Sequence, residues 1–112
     1  MHIVVCAKQI PDPETPPAAF KIDAATNKVV PAQGIAPVLS QFDGIAAEAA
    51  LRIKEASGDA KVTVISMGGE SAQAAIKQVL AMGADEGVLL NDPAFEDGDS
   101  HTTAKVLAAA IK

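Results

Sequence analysis

The chain has no tryptophan and no tyrosine, and only three phenylalanines among its 112 residues. Its core must therefore be assembled from Ala, Val, Ile and Leu, and with 49% hydrophobic residues this is an α/β type of composition in one domain-sized chain. A single cysteine, Cys6, excludes an internal disulfide and fits a reducing compartment. Lying in an apolar run, Cys6 is expected to be a buried structural thiol and not a nucleophile. No run of Lys or Arg is present and the net charge is -5, so the basic footprint of a nucleic-acid binder is missing. The acidic balance reads as a solvated surface. No apolar stretch approaches the ~20 residues that would span a bilayer. Met1 leads directly into a strand-like run, leaving no room for a secretory or transit leader. The expectation is a soluble, cytoplasmic protein with no membrane insertion.

Catalytic and metal patterns are lacking as well. His2 and His101 stand nearly a chain length apart, and no Ser/His/Asp or Cys/His set with workable roles can be assembled. Asp92, Glu96, Asp97 and Asp99 crowd one loop, yet the D-x-D-x-D-G spacing of a calcium site is absent, and no metal is expected there.

What is present is organised around Lys61 to Asp85. Val62, Val64 and Ile65 form a β-branched run of strand length, which Ser66-Met67-Gly68-Gly69 breaks with residues suited to a tight turn. Apolar residues then recur at Ala72, Ala75, Ile76, Val79 and Leu80, the spacing of a helix with one buried face. Gly83 closes that helix and Gly87 to Leu90 supplies a returning strand, completing a βαβ unit. Ligands of open parallel sheets sit beyond the carboxyl ends of the strands, which here is the turn at Ser66, Met67 and Gly68. The turn matches neither the dinucleotide nor the Walker fingerprint, so on its own it reads as a structural turn ahead of a ligand loop.

The remaining elements follow in order. His2 to Ala7 reads as a central parallel strand, and Lys8 to Pro13 as a loop leaving the same sheet edge. Phe20 to Asp23 and Lys28 to Pro31 form two short extended pieces around a turn, a small edge hairpin, followed by a connector from Ala32 to Leu39. A long helix starts at Ser40 or Asp43 as N-cap, with Phe42, Ile45, Ala46, Ala49 and Ile53 as its apolar face, and Gly58 ends it. Ser40 to Asp43 is a ligand contact if that helix start points to the carboxyl edge of the sheet. Ser100 is expected to cap a last helix whose apolar face is Ala104, Leu107, Ala108 and Ile111. The apolar pattern is still running at Lys112, so these residues read as the front part of a longer domain. Alternating strands and helices require a Rossmann-like parallel sheet with helices on both faces and a small β-hairpin excursion.

The succession of pieces resembles the N-terminal part of the β subunit of electron-transfer flavoprotein. It is carried by Ala7-Lys8-Gln9-Ile10-Pro11-Asp12, Lys21-Ile22-Asp23, Phe42-Asp43, Glu48-Ala49-Ala50-Leu51-Arg52-Ile53-Lys54-Glu55, Val62-Thr63-Val64-Ile65-Ser66-Met67-Gly68 and Ala81-Met82-Gly83-Ala84-Asp85. The resemblance covers the whole length and implies an α/β domain of the adenine-nucleotide-binding type, of which residues 1–112 are the N-terminal part. It further implies an electron carrier and not an enzyme, paired as a heterodimer with an α subunit that carries most of the FAD site. The complex would pass electrons from flavin dehydrogenases to a quinone oxidoreductase or another acceptor. The β subunit would bind AMP, or a second FAD in bifurcating members. Its nucleotide would be held by Cys6, Ala7 and Lys8, by Ser40, Gln41, Phe42 and Asp43, and by Ser66, Met67 and Gly68. Ser40-Gln41 departs from the Asn-Pro common in the family, and the family's phosphate loop comes later in its chain. An ATP pyrophosphatase-like enzyme and a stress-protein-type nucleotide-binding module are the alternatives, and the glycine-rich phosphate loops that both require are missing after the first strand.

Overall fold

The structure, a computed structural model, describes residues 1–30, 34–95 and 98–112. Its centre is a three-stranded parallel sheet in the order β1 (His2–Cys6), β6 (Lys61–Met67), β7 (Glu86–Leu90). The register sets Val5 beside Val64, Cys6 beside Ile65 and Ser66 beside Leu89. Parallel neighbours need crossovers, and here α1 (Gln41–Ser57) and α2 (Gln73–Met82) provide them. The three carboxyl ends consequently share one edge.

Successive strand residues point to opposite faces. On one face Val5, Val62 and Val64 meet Ala47, Ala50 and Leu51 of α1 and Ile76 and Val79 of α2, forming the core. Gly87 is required there, since a Cβ at this position would stand 2.4 Å from Ile76 Cγ2. The other face is covered differently: Cys6, Ile65 and Met67 share a cavity with Thr103 and Leu107 of α3 (Ser100–Ile111). No helix among the described residues is long and apolar enough to cross a membrane.

Asp85 joins the sheet to the helices. Its carboxylate accepts from the Val62 amide at 2.8 Å and from Lys54 Nζ at 2.7 Å. These contacts, the Lys54 bond first, hold its pKa below the ordinary carboxylate value.

Several expectations are corrected. The stripe Phe42, Ile45, Ala46, Ala49, Ile53 does not face the core: Phe42 is 72% and Ile45 66% exposed, and the buried face is Ala47, Ala50 and Leu51. The helix carries two apolar stripes, and the alanine-rich one docks because small side chains let the helix axis approach the sheet closely. Lys54 reaches from α1 to the Asp85 carboxylate. Cys6 is exposed: it is the last residue of β1 and borders the cavity at the strand's carboxyl end, although its neighbour Ile65 on the same face is buried. Asp99, not Ser100, caps α3, accepting from the Thr102 amide at 2.9 Å. On α3 itself Leu107 is half-buried, but Ala104, Ala108 and Ile111 are exposed while Thr103 and Val106 are half-buried, so the inward stripe is rotated from the expected one.

The hairpin pairs β3 (Lys21–Asp23) with β4 (Lys28–Val30), and Asp23 caps its turn through the Ala25 amide and the Thr26 hydroxyl. Pro31, expected in its second strand, and Ala32, at the start of the connector, lie outside the described residues, as do Glu96 and Asp97 of the acidic loop. The connector ends in β5 (Val38–Leu39), which pairs antiparallel with β2 (Gln9–Ile10). That small ladder was expected on neither side.

Candidate functional site

The end of β1, the start of α1 and the end of β6 are brought together by the topology, and a cavity of about 500 Å³ opens where they meet. Of the residues expected at a ligand, Cys6, Ala7, Lys8, Ser40, Phe42, Asp43 and Met67 line it. Gln41, Ser66 and Gly68 do not. Ser66 is 1% exposed and shares the face of Val64, so its side chain points into the helix-covered side, where its hydroxyl has no hydrogen-bond partner. The Gly68 amide is already used, donating to Leu90 O at 3.0 Å and tying β6 to β7. Ile10, Ile65, Phe95, Gly98, Thr103 and Leu107 complete the lining and were missed. Ile65 could have been found by strand alternation, since it is the cross-strand neighbour of Cys6. Ile10 belongs to the loop after β1, which already reads from the sequence as leaving this edge; the others depend on how α3 and the turn before it dock, for which the sequence carries no local signal.

The walls are fixed by hydrogen bonds between segments distant in the chain. The Lys8 amide donates to Asp43 Oδ2 at 2.7 Å, and the Ser40 amide donates to Lys8 O at 2.9 Å. Asp43 thus clamps the loop after β1 and does not cap its own helix, while Ser40 occupies the N-cap position with no side-chain bond to the helix. Further along, Gln9 Nε2 donates to Ser71 O at 3.0 Å and the Ser71 hydroxyl donates to Gln9 Oε1 at 3.1 Å. The loop after β1 is therefore anchored to the starts of both α1 and α2. Partial burial, and then the Asp43 carboxylate, push the Cys6 thiol above its ordinary pKa.

Chemically the cavity is an apolar slot with a polar side. Ile65, Met67, Phe42, Phe95 and Leu107 supply surfaces for a flat ring, and Asp43, Ser40 and Thr103 supply oxygen groups for hydroxyl or amino donors. Among the described residues Lys8 is the only cation in the lining. A second cavity, of about 190 Å³, lies between the hairpin and the loop after β1, bounded by Ile10, Phe20, Val29 and Ile35. It falls below the roughly 300 Å³ at which pockets begin to hold cofactor-sized ligands. Among the described residues no group of three or more His, Cys, Asp and Glu is placed to hold a metal ion.

An open parallel α/β sheet with a pocket beyond the carboxyl ends of its strands is the architecture of Rossmann-like nucleotide-binding domains. The model of the electron transfer flavoprotein domain matches residues 27–112, and the chain belongs to that family. It is 42% identical over 112 residues to electron transfer flavoprotein subunit beta of Megasphaera elsdenii, covering 100% of this chain and 40% of that one. Identity is also 42% to the Caffeyl-CoA reductase-Etf complex subunit CarD of Acetobacterium woodii, over 100% of this chain and 41% of the relative. Protein FixA of Azotobacter vinelandii is 38% identical over 100% of this chain and 38% of its own length. The chain thus spans about two-fifths of the length of these curated relatives.

Proposed function

We propose that residues 1–112 are the N-terminal part of one nucleotide-binding domain of a β-type subunit of an electron transfer flavoprotein, and that the cavity at the carboxyl edge of β1 and β6 holds AMP or, in a bifurcating complex, a second FAD. The observation that carries this reading is the convergence of Cys6 to Lys8, of Ser40, Phe42 and Asp43, and of Met67 on one preformed slot at the edge where such sheets bind ligands. The subunit pairs with an α subunit carrying the redox FAD, and the complex passes electrons from flavin dehydrogenases to a quinone oxidoreductase or another acceptor in the cytoplasm. It performs no turnover of its own. When bound, the flavin supplies the electron-carrying chemistry. This chain's residues hold the nucleotide: the apolar walls take the base and Asp43, anchored by the Lys8 amide, accepts from a ribose or amino donor.

Titration calorimetry of AMP and of adenosine into the purified chain tests the reading. Both are expected to bind at one site, with affinities within about tenfold of each other, because Lys8 is the sole cation among the described lining residues and a charge-assisted bond at an exposed position contributes on the order of 1 kcal/mol. Absence of saturable heat for both ligands at millimolar concentration contradicts it.

A further inference from the structure

Two of the chain's three phenylalanines line the same cavity, and neither belongs to the core. In a protein whose interior is built from Ala, Val, Ile and Leu, an aromatic left out of that interior is available for contact with something else. Phe42 is 72% exposed, and Phe95 is half-buried. They are mounted on backbones fixed independently of each other. Phe42 sits in the first turn of α1, next to Asp43, which the Lys8 amide holds. Phe95 ends a 3-10 turn after β7, in which the Asp92 carboxylate accepts from the Ala94 amide and Asp92 O accepts from the Phe95 amide, both at 2.9 Å. One ring therefore comes from the β1–α1 side of the slot and the other from the β7–α3 side.

We propose that Phe95, supported by Phe42, is the base-gripping residue of the nucleotide site, and that the pair selects purines over pyrimidines by the ring area it can cover. This rests on the reading of the cavity as a nucleotide site and adds to it a residue from the β7–α3 connection. Base–aromatic contact depends on the π-face that every base has, so the pair favours a large ring without distinguishing adenine from guanine. Discrimination between those two purines is left to polar groups such as Asp43.

The test is calorimetric titration of AMP, GMP, CMP and ribose 5-phosphate into the wild-type chain and into Phe95→Ala, Phe95→Leu and Phe95→Tyr, each first checked for native far-UV circular dichroism. Leu keeps an apolar wall of similar volume, so the comparison survives if the Ala variant fails to fold. Expected results are a roughly 5- to 100-fold loss of AMP affinity in the Ala variant and a smaller but measurable loss in the Leu variant. The Tyr variant should match the wild type within about threefold, and ribose 5-phosphate should respond to none of the changes. The ratio of AMP to GMP affinity should be the same in the wild type and the Phe95 variants, and in the wild type CMP should bind more weakly than AMP. Wild-type AMP binding that persists within twofold in both the Ala and Leu variants overturns the inference and leaves the nucleotide site standing. No AMP binding by the wild type removes the nucleotide site and the inference with it.

Discussion

Replacing Gly87 with alanine places a methyl group where the structure has no room for one. The added Cβ would stand 2.4 Å from Ile76 Cγ2, 3.4 Å from Leu80 Cδ1 and 3.6 Å from Val64 Cγ1. Carbon atoms prefer about 3.5 to 4.0 Å, so the first contact is short by more than an ångström. Ile76 is 6% exposed and lies in α2, where a β-branched side chain has essentially one χ1 rotamer, and it cannot swing aside. Relief must come from moving β7 away from α2, at about 1–3 kcal/mol for an overpacked core. Loss of glycine's freedom in the unfolded chain returns about 0.5–1 kcal/mol, leaving a net destabilisation of roughly 0.5–2 kcal/mol. Urea unfolding must be followed by circular dichroism, since the chain has no Trp or Tyr to report by fluorescence. With a slope of about 1.5 kcal/mol per molar, the midpoint should fall by about 0.3–1.3 M. Ile76→Ala removes the offending Cγ2, and in that background Gly87→Ala should stabilise by about 0.5–1 kcal/mol, a coupling of about 1–3 kcal/mol. A midpoint that is unchanged or raised by Gly87→Ala alone would refute the packing described between α2 and β7.

Other expectations concern charge and surface. Ile45→Ser and Ile53→Ser, on the outward stripe of α1, should each shift stability by no more than about 0.5 kcal/mol, whereas Ala50→Val on the docked face should cost about 1–3 kcal/mol by the same urea assay. The Asp85 pKa is depressed, so its contribution to stability is present above the unfolded carboxylate value of 3.8 and is lost as pH falls through the lower folded value. Thermal unfolding of the wild type should accordingly lose stability below pH 4 more steeply than that of Asp85→Asn. The raised Cys6 pKa makes alkylation slow at neutral pH and about tenfold faster per pH unit below that pKa, because the thiolate is the nucleophile. Asp43→Asn removes the nearby negative charge and should speed the reaction at pH 7.5; an unchanged rate would contradict the electrostatic contact.

The parts of this molecule that could be read from its residues are those with a period. Val62, Val64, Ile65 and then Ala72, Ala75, Ile76, Val79 alternate and recur as a strand and a helix must, and β6, α2 and β7 lie where that pattern puts them. The carboxyl-edge rule for parallel sheets then brings Cys6, Ser40 and Met67 to one cavity without any matching motif. Other features have no such signature. On α1 the larger side chains Phe42, Ile45 and Ile53 suggested the buried face, but depth of approach to the sheet favours Ala47 and Ala50. β2 and β5 have two residues each, too few to show alternation. Asp43 is bound by an amide 35 positions away, a contact that arises only after folding. The outer wall of the slot at Gly98, Thr103 and Leu107 likewise depends on where α3 comes to rest.

The proposed nucleotide site can be tested by its own built-in reporter, because the only cysteine of the chain lines the cavity and is exposed. The measurement is the rate of Cys6 alkylation by iodoacetamide at pH 8 as AMP is raised, with ribose 5-phosphate and a simple salt as controls. Bound nucleotide should cover the thiol, slowing the reaction saturably, with a midpoint equal to the calorimetric dissociation constant and with no slowing by the controls. An alkylation rate that stays constant up to AMP concentrations saturating the calorimetric site would place the ligand elsewhere and contradict the account.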